Sequence, residues 1–219
     1  MPDAISASAP VLARFSSALT RLWPQGDSRI PGLRAAMVEQ MPALCSKYCP
    51  NAMAFANMMG EFTEECGAGI EVEENLNYRA SVLHSQWPQH FTVQQAIDLQ
   101  HQPRLIANQA YNGRMDNRFG SDDGWNYRGR GPAQTTGRDA YEKLGELMQL
   151  DLVKSPDLIN DPRYFFECGF VDFVLICDCL PYAKRDDEVN ETRHLNGGLV
   201  GLKQRQASIK LWKRELGVA

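Results

Sequence analysis

No stretch of the sequence approaches the ~18 consecutive apolar residues that a membrane-spanning helix requires. There is no basic excess either. The formal net charge is −4, which argues against nucleic-acid or membrane-surface partners, since both need a positive field. The leading segment, MPDAISASAPVLARFSSALTRLW, has no basic residues ahead of its apolar ones, and Arg14 and Arg21 interrupt what would be a signal-peptide core. It reads as a partly amphipathic helix, with the protein made in the cytoplasm and acting elsewhere only after release. Internal repeats, low-complexity runs and charged tails are missing as well.

The cysteines offer no zinc pattern. Cys45, Cys49, Cys66, Cys168, Cys177 and Cys179 are spaced C-x3-C and C-x8-C-x-C around a lone Cys66, with no histidine close enough to complete a site. They read as reduced, mostly buried thiols serving as small hydrophobes, although the even count leaves disulfides open. No cofactor or metal is expected.

What is present is an ordinary soluble composition, 43% hydrophobic and 23% charged, in 219 residues. Residues 1–33 are set apart by the turn-like PQGDSRIPG at 24–32, leaving 34–219 as the main domain. Residues 33–65 read as helices broken at Cys49-Pro50-Asn51, with Asn51 as N-cap and Gly67, Ala68 and Gly69 as the stop. Further helices are predicted at 92–101 behind Thr92, at 103–111, 137–150, 162–180 and 202–216. The 162–180 segment is apolar nearly all round and is expected to be the central buried helix. Residues 112–133 carry five Gly and read as a long functional loop. Strand, if any, belongs in 69–78 and 112–128. The class is mainly α.

The chemistry begins with the helix that stops at Gly67. Phe55, Met58, Phe62 and Glu65 follow a 3-4-3 spacing, which puts Glu65 on the apolar stripe and in the last turn. Partial burial, the negative helix end and Glu61 at i−4 all act against its ionisation, as a general acid needs. A solvated glutamate at a fraying helix end is the plainer reading of this helix alone. Glu74 follows on the next loop, and a carboxylate pair facing across a cleft is the minimum for acid–base glycoside cleavage. Arg205, Ile209, Trp212 and Leu216 share a 4-3-4 face, so Arg205 is expected to have a partner.

Five blocks then occur in order: Glu74-Asn75-Leu76-Asn77-Tyr78-Arg79-Ala80, Ile106-Ala107-Asn108, Gly124-Trp125-Asn126-Tyr127-Arg128-Gly129-Arg130-Gly131, Gln134-Thr135-Thr136-Gly137-Arg138 and Leu195-Asn196-Gly197-Gly198. From about residue 50 onward the chain resembles glycoside hydrolase family 19, in its phage-endolysin branch more than its plant chitinases. The resemblance implies a mainly α, lysozyme-like fold with long cleft loops and an inverting mechanism. It implies Glu65 as general acid, Glu74 as general base and Thr136 as the hydroxyl that holds the attacking water. Tyr78, Gln134, Asn196 and Arg205 are implied as substrate-binding residues.

The family's His before the acid is Glu64 here, its Ser after the acid is Cys66, and an Asn common after Gly-Arg-Asp is Ala140. These departures bear on substrate contacts and pH optimum and remove neither carboxylate. Tyr78, Tyr111, Trp125 and Tyr127 are candidates for stacking on sugars or for packing. Arg114, Arg118, Arg128, Arg130 and Arg205 are expected to give a cleft a local positive charge. The expected partner is the glycan strand of peptidoglycan, or chitin, met by a monomer. The alternatives are a chitinase, a secreted toxin effector with the same chemistry, or a silent glycan-binding protein.

Overall fold

The computed structural model describes residues 9–48 and 50–218, so residues 1–8 of the leading segment and Cys49 of the expected helix break lie outside it. Twelve α-helices follow in order among the described residues: α1 Ala9–Leu22, α2 Leu33–Tyr48, α3 Ala52–Glu65, α4 Ala80–Gln86, α5 Val93–Leu99, α6 Pro103–Tyr111, α7 Asp123–Asn126, α8 Arg138–Met148, α9 Phe165–Val171, α10 Leu180–Ala183, α11 Glu188–Asn196 and α12 Leu202–Leu216. The only β pairing among them is isolated, Glu73 with Arg130 and Arg130 with Thr135. The class is mainly α, as expected. The pairing touches the predicted strand segment 69–78 at Glu73 and otherwise falls beyond 112–128.

The chain divides into two compact units. The first comprises the described residues of Met1–Val72, Gly131–Ala133 and Leu158–Ala219, the second Glu73–Arg130 and Gln134–Asp157. In the first unit α3 lies directly against α12. They pack tightly at Gly60, where a Cβ would stand 2.4 Å from Ile209 Cγ1 and 2.6 Å from Ile209 Cα. Around this pair Phe15 of α1 meets Phe55 edge-on at 5.2 Å and stacks on Phe166 at 5.9 Å, with Trp212 at 6.1 Å. The hydroxyl of Thr63 accepts the indole N–H of both Trp23 (2.9 Å) and Trp212 (2.8 Å), so two buried donors are satisfied by one α3 side chain.

Helix α3 begins where Asn51 predicts, with Oδ1 accepting from Ala54 N at 2.7 Å. The expected single buried helix over 162–180 is shorter and broken. It starts at Phe165, passes into a π-turn at Asp172–Ile176, and leaves Leu175 49% exposed. The wider turn shifts the helical register, so unbroken burial ends at Phe173 and returns only at Cys179.

Where the chain leaves and rejoins the first unit it is tied. Val72 O accepts from Gly131 N at 3.0 Å and from Asn160 Nδ2 at 3.1 Å, and Asn160 Oδ1 accepts from Gly131 N at 3.1 Å.

The second unit has its own apolar cluster of Leu76, Leu83, Phe91, Ala96, Ile106, Ala107 and Ala110. Helix α5 opens on a reciprocal cap between Thr92 and Gln95, at the residue the sequence indicates. The expected loop 112–133 contains α7, braced by Arg118 paired to Asp123 at 2.8 Å and by Asn108 Oδ1 accepting from Trp125 N at 2.9 Å.

Candidate active site

In the first unit Glu65 closes α3 with its side chain 14% exposed, on the same face as the buried Phe55, Met58 and Phe62. The expected partner of Arg205 is a pair of acids. One guanidinium nitrogen lies 2.6 Å from Glu65 Oε1 and another 2.5 Å from Glu61 Oε2. Glu61 is fully buried and also accepts from Thr192 Oγ1 at 2.9 Å. Burial pushes the Glu61 carboxyl up, while Arg205 and Thr192 pull it back. The like charge at i−4 is thus offset by a cation the helix pattern does not show.

Deeper still, Asn57 Nδ2 donates to Glu191 Oε2 at 3.0 Å. Burial, aided by the negative charge of Glu61, raises Glu191 to about 9. Asn196 ends α11 and is exposed. Its Nδ2 lies 3.4 Å from Val200 O, which Arg205 Nε also reaches at 3.3 Å. Three predicted site residues, Glu65, Asn196 and Arg205, are therefore joined in this unit. At the departures from the family pattern, Glu64 accepts from Ser208, and Cys66 is buried with Sγ 3.0 Å from Phe62 O. Among the described residues the cysteines are free thiols, four of the five buried.

In the second unit the backbone of Glu74 donates to Gly129 O at 2.9 Å. Its side chain accepts from Tyr111 Oη at 2.6 Å and from Gly129 N at 3.4 Å. Three side chains crowd Gly129: a Cβ there would stand 3.0 Å from Gln134 Oε1, 3.2 Å from Thr136 Oγ1 and 3.4 Å from Glu74 Cβ. Thr136 Oγ1 donates to Gln134 O at 2.8 Å, and Gln134 takes a left-handed backbone at φ +52°. Glu74, Gln134 and Thr136 are thus gathered round one backbone position. Tyr78 sits beside them half-buried, its ring edge-on to Trp87 at 5.2 Å. Burial and the charge of Glu74 raise its hydroxyl.

The adjacent acid is occupied differently. Glu73 pairs with Arg128 at 2.6 Å and Arg130 at 3.2 Å, and Arg130 also meets Asp157 at 2.9 Å.

One expectation is corrected. The cleft arginines do not stand as a free positive field: Arg118, Arg128, Arg130 and Arg205 are each paired with carboxylates, and Arg114 turns to His90 and Ala110 O. The aromatics are mostly structural. Tyr127 is buried with its hydroxyl donating to Val153 O at 3.0 Å, and Trp125 lies under the Arg128 guanidinium at 3.7 Å. Tyr111 gives Glu74 a donor instead of offering a face. Burial and the Glu74 charge push its pKa far up, which keeps the proton on it. Thr192 went unread in the sequence, because nothing in the polar run of α11 marks a buried face.

Chitinases are among the solved structures this chain is similar to. Chitinase C from Streptomyces griseus matches with a TM-score of 0.60 at 14% identity, over 93% of this chain and 92% of that one. A bacterial family 19 chitinase matches with a TM-score of 0.56 at 20% identity, over 93% of each. These likenesses give the fold, the lysozyme-like helical fold. No protein-family model matches the chain. A glycosyl hydrolase family 19 domain-containing protein of Haemophilus influenzae is 31% identical over 159 residues, 72% of this chain and 77% of its own length. The chain belongs to glycoside hydrolase family 19, and it is a glycoside hydrolase.

Proposed function

We propose that the enzyme cleaves the β-1,4 amino-sugar linkages of peptidoglycan by inverting acid–base catalysis, with Glu65 as general acid and Glu74 as general base. One observation carries the assignment: each carboxylate is gripped by its own polar frame, Arg205 on Glu65, and Tyr111 with the Gly129 amide on Glu74. Glu65 protonates the glycosidic oxygen. Glu74 takes a proton from a water that Thr136 helps to hold, and that water attacks the anomeric carbon from the opposite face.

The choice of peptidoglycan rests on the endolysin-like blocks, especially Glu74 to Tyr78 and the short interval from Asn196 to Arg205. The net charge of −4 gives no long-range pull toward an anionic wall. Screening confines such fields to ~8 Å, so contact chemistry decides. A monomer released to the wall is enough for this reaction. The second reading is chitin cleavage, favoured by the chitinases among the similar structures.

Mass spectrometry of fragments from purified peptidoglycan and from chitin oligomers separates the two by the bond cut. Fragments from chitin alone would overturn the peptidoglycan reading. NMR of the first-formed sugar should show the inverted anomer, and a retained one would overturn the roles given to the two acids.

A further inference from the structure

Neither carboxylate frame uses the C-x-C pair Cys177 and Cys179. Among the described residues Cys45, Cys66 and Cys168 are buried and well separated in sequence, as small hydrophobes would be. Cys177 differs on two counts: it is half-buried where those are closed off, and the thiol of Cys179 stands beside it. The backbone brings the two together. Two steps of extended chain span up to ~7 Å, at the edge of the ~4.4–6.8 Å between Cα atoms that a disulfide accepts. Here the intervening Asp178 is exposed and left-handed, φ +50°, between two right-handed neighbours, so the chain turns sharply at that residue. Aspartate tolerates this conformation better than most side chains.

Both ends of the turn are fixed by the π-turn before it. Cys177 N donates to Asp172 O at 2.8 Å, and Cys179 N donates to Phe173 O at 2.9 Å. The two thiols share a side-chain hydrogen bond, which together with burial raises Cys179 and keeps its proton in place. Cys179 Sγ also lies 3.8 Å from Glu191 O, and His194 Nδ1 lies 3.1 Å from Cys177 O, so the pair rests against α11. An accessible sulfur is thus backed by a fully buried one, held in place by backbone bonds.

We propose that Cys177 and Cys179 are a redox-active dithiol that a low-molecular-weight disulfide, such as glutathione disulfide, converts to a disulfide, with Cys177 attacking and Cys179 resolving. Cys177 Sγ gives up its proton and bonds to one glutathione sulfur. The glutathione S–S bond breaks, and the first glutathione leaves as a thiol with that proton. Cys179 Sγ then bonds to Cys177 Sγ, the mixed disulfide breaks, and the second glutathione leaves with the Cys179 proton. Two cysteine thiols are oxidised and one disulfide is reduced to two thiols. A bridge across a single residue removes little chain entropy, so excess reductant reverses it. The site lies outside the Glu65 and Glu74 frames and holds whichever polymer is cut.

The test is incubation of the folded native protein with glutathione disulfide, an acid quench, alkylation of the remaining thiols after unfolding, and peptide mass spectrometry. Fragmentation places any bridge among Cys168, Cys177 and Cys179. The native chain should lose two hydrogens between Cys177 and Cys179, regain them with dithiothreitol, and leave Cys45, Cys66 and Cys168 open to alkylation. Cys179→Ser should instead retain one glutathione on Cys177, and Cys177→Ser should lose both products. Glutathione retained on Cys177 of the native chain, a bridge to any other cysteine, or either product persisting in Cys177→Ser would overturn the proposal. So would no reaction, or reaction only after unfolding in urea. Cys179 is fully buried, so if its replacement unfolds the chain, the native and Cys177→Ser proteins decide alone.

Discussion

The Arg205 guanidinium lies 2.6 Å from the Glu65 carboxylate and binds Glu61 with a second nitrogen, so the residue ending α3 is tied to α12 through a planar fork. A lysine cannot span two carboxylates in this way, having one point charge where arginine has spaced donors. Arg205→Lys should lose activity and stability together. Removing one partner of a buried pair typically costs ~3–5 kcal/mol, and partial replacement should fall below that. Urea unfolding beside kinetics checks it; an unchanged midpoint would mean the fork is dispensable.

Glu65→Gln should abolish hydrolysis and leave the fold intact. The amide keeps the shape and loses the transferable proton, and a lost general acid costs ~10²–10⁴ in rate. Circular dichroism and turnover on one preparation are the readouts. Retention of more than about a tenth of the activity would remove Glu65 from the role.

Tyr111→Phe removes the 2.6 Å donor to Glu74 and nothing else. Hydrogen bonds to charged groups are worth ~1.5–3 kcal/mol, so kcat should fall roughly tenfold or more with KM little changed. Wild-type kcat would show that Tyr111 does not act through Glu74.

Gly60→Ala should be the most damaging single methyl in the first unit, since its Cβ would collide with Ile209. Overpacking of this kind costs ~1–3 kcal/mol or more. Thermal denaturation should show a clear loss, and a neutral result would mean that α3 and α12 can separate freely.

Stability should depend on pH through Glu191. Its carboxyl is raised in the folded chain from the ordinary 4.5 to about 9, so the folded state binds more protons between those values. Stability therefore falls as pH rises through that window, by up to ~1.4 kcal/mol per pH unit. Glu191→Gln should match the native protein below pH 4.5 and exceed it increasingly toward 9. Urea midpoints across the range test this, and parallel curves would contradict it.

Much of this was legible in the sequence where burial is apolar and periodic. The stripe from Phe55 to Glu65, the Asn51 and Thr92 caps and the face of α12 all follow from spacing. Helix α11 was not legible, because the residues it buries most deeply are Glu191 and Thr192, and a polar buried face leaves no hydrophobic period. Seven-residue α4 has only Leu83 fully buried, too little to register. The Arg205 pairing was foreseen as a need, but its partners were not. They lie 140 and 144 residues away in sequence, beyond any local pattern (205 − 65 and 205 − 61).

The clasp of Val72, Gly131 and Asn160 bears on how the polypeptide is born. Phe15 shares its core with Trp212, so α1 waits for α12 before the first unit can close. The stretch between the clasped residues has its own apolar cluster and lacks only a three-residue detour, so it can consolidate while the ribosome is still at work. Nascent α1–α3 is thus the part most in need of protection from aggregation, and the clasp is the point at which the late-arriving segment is brought back to it.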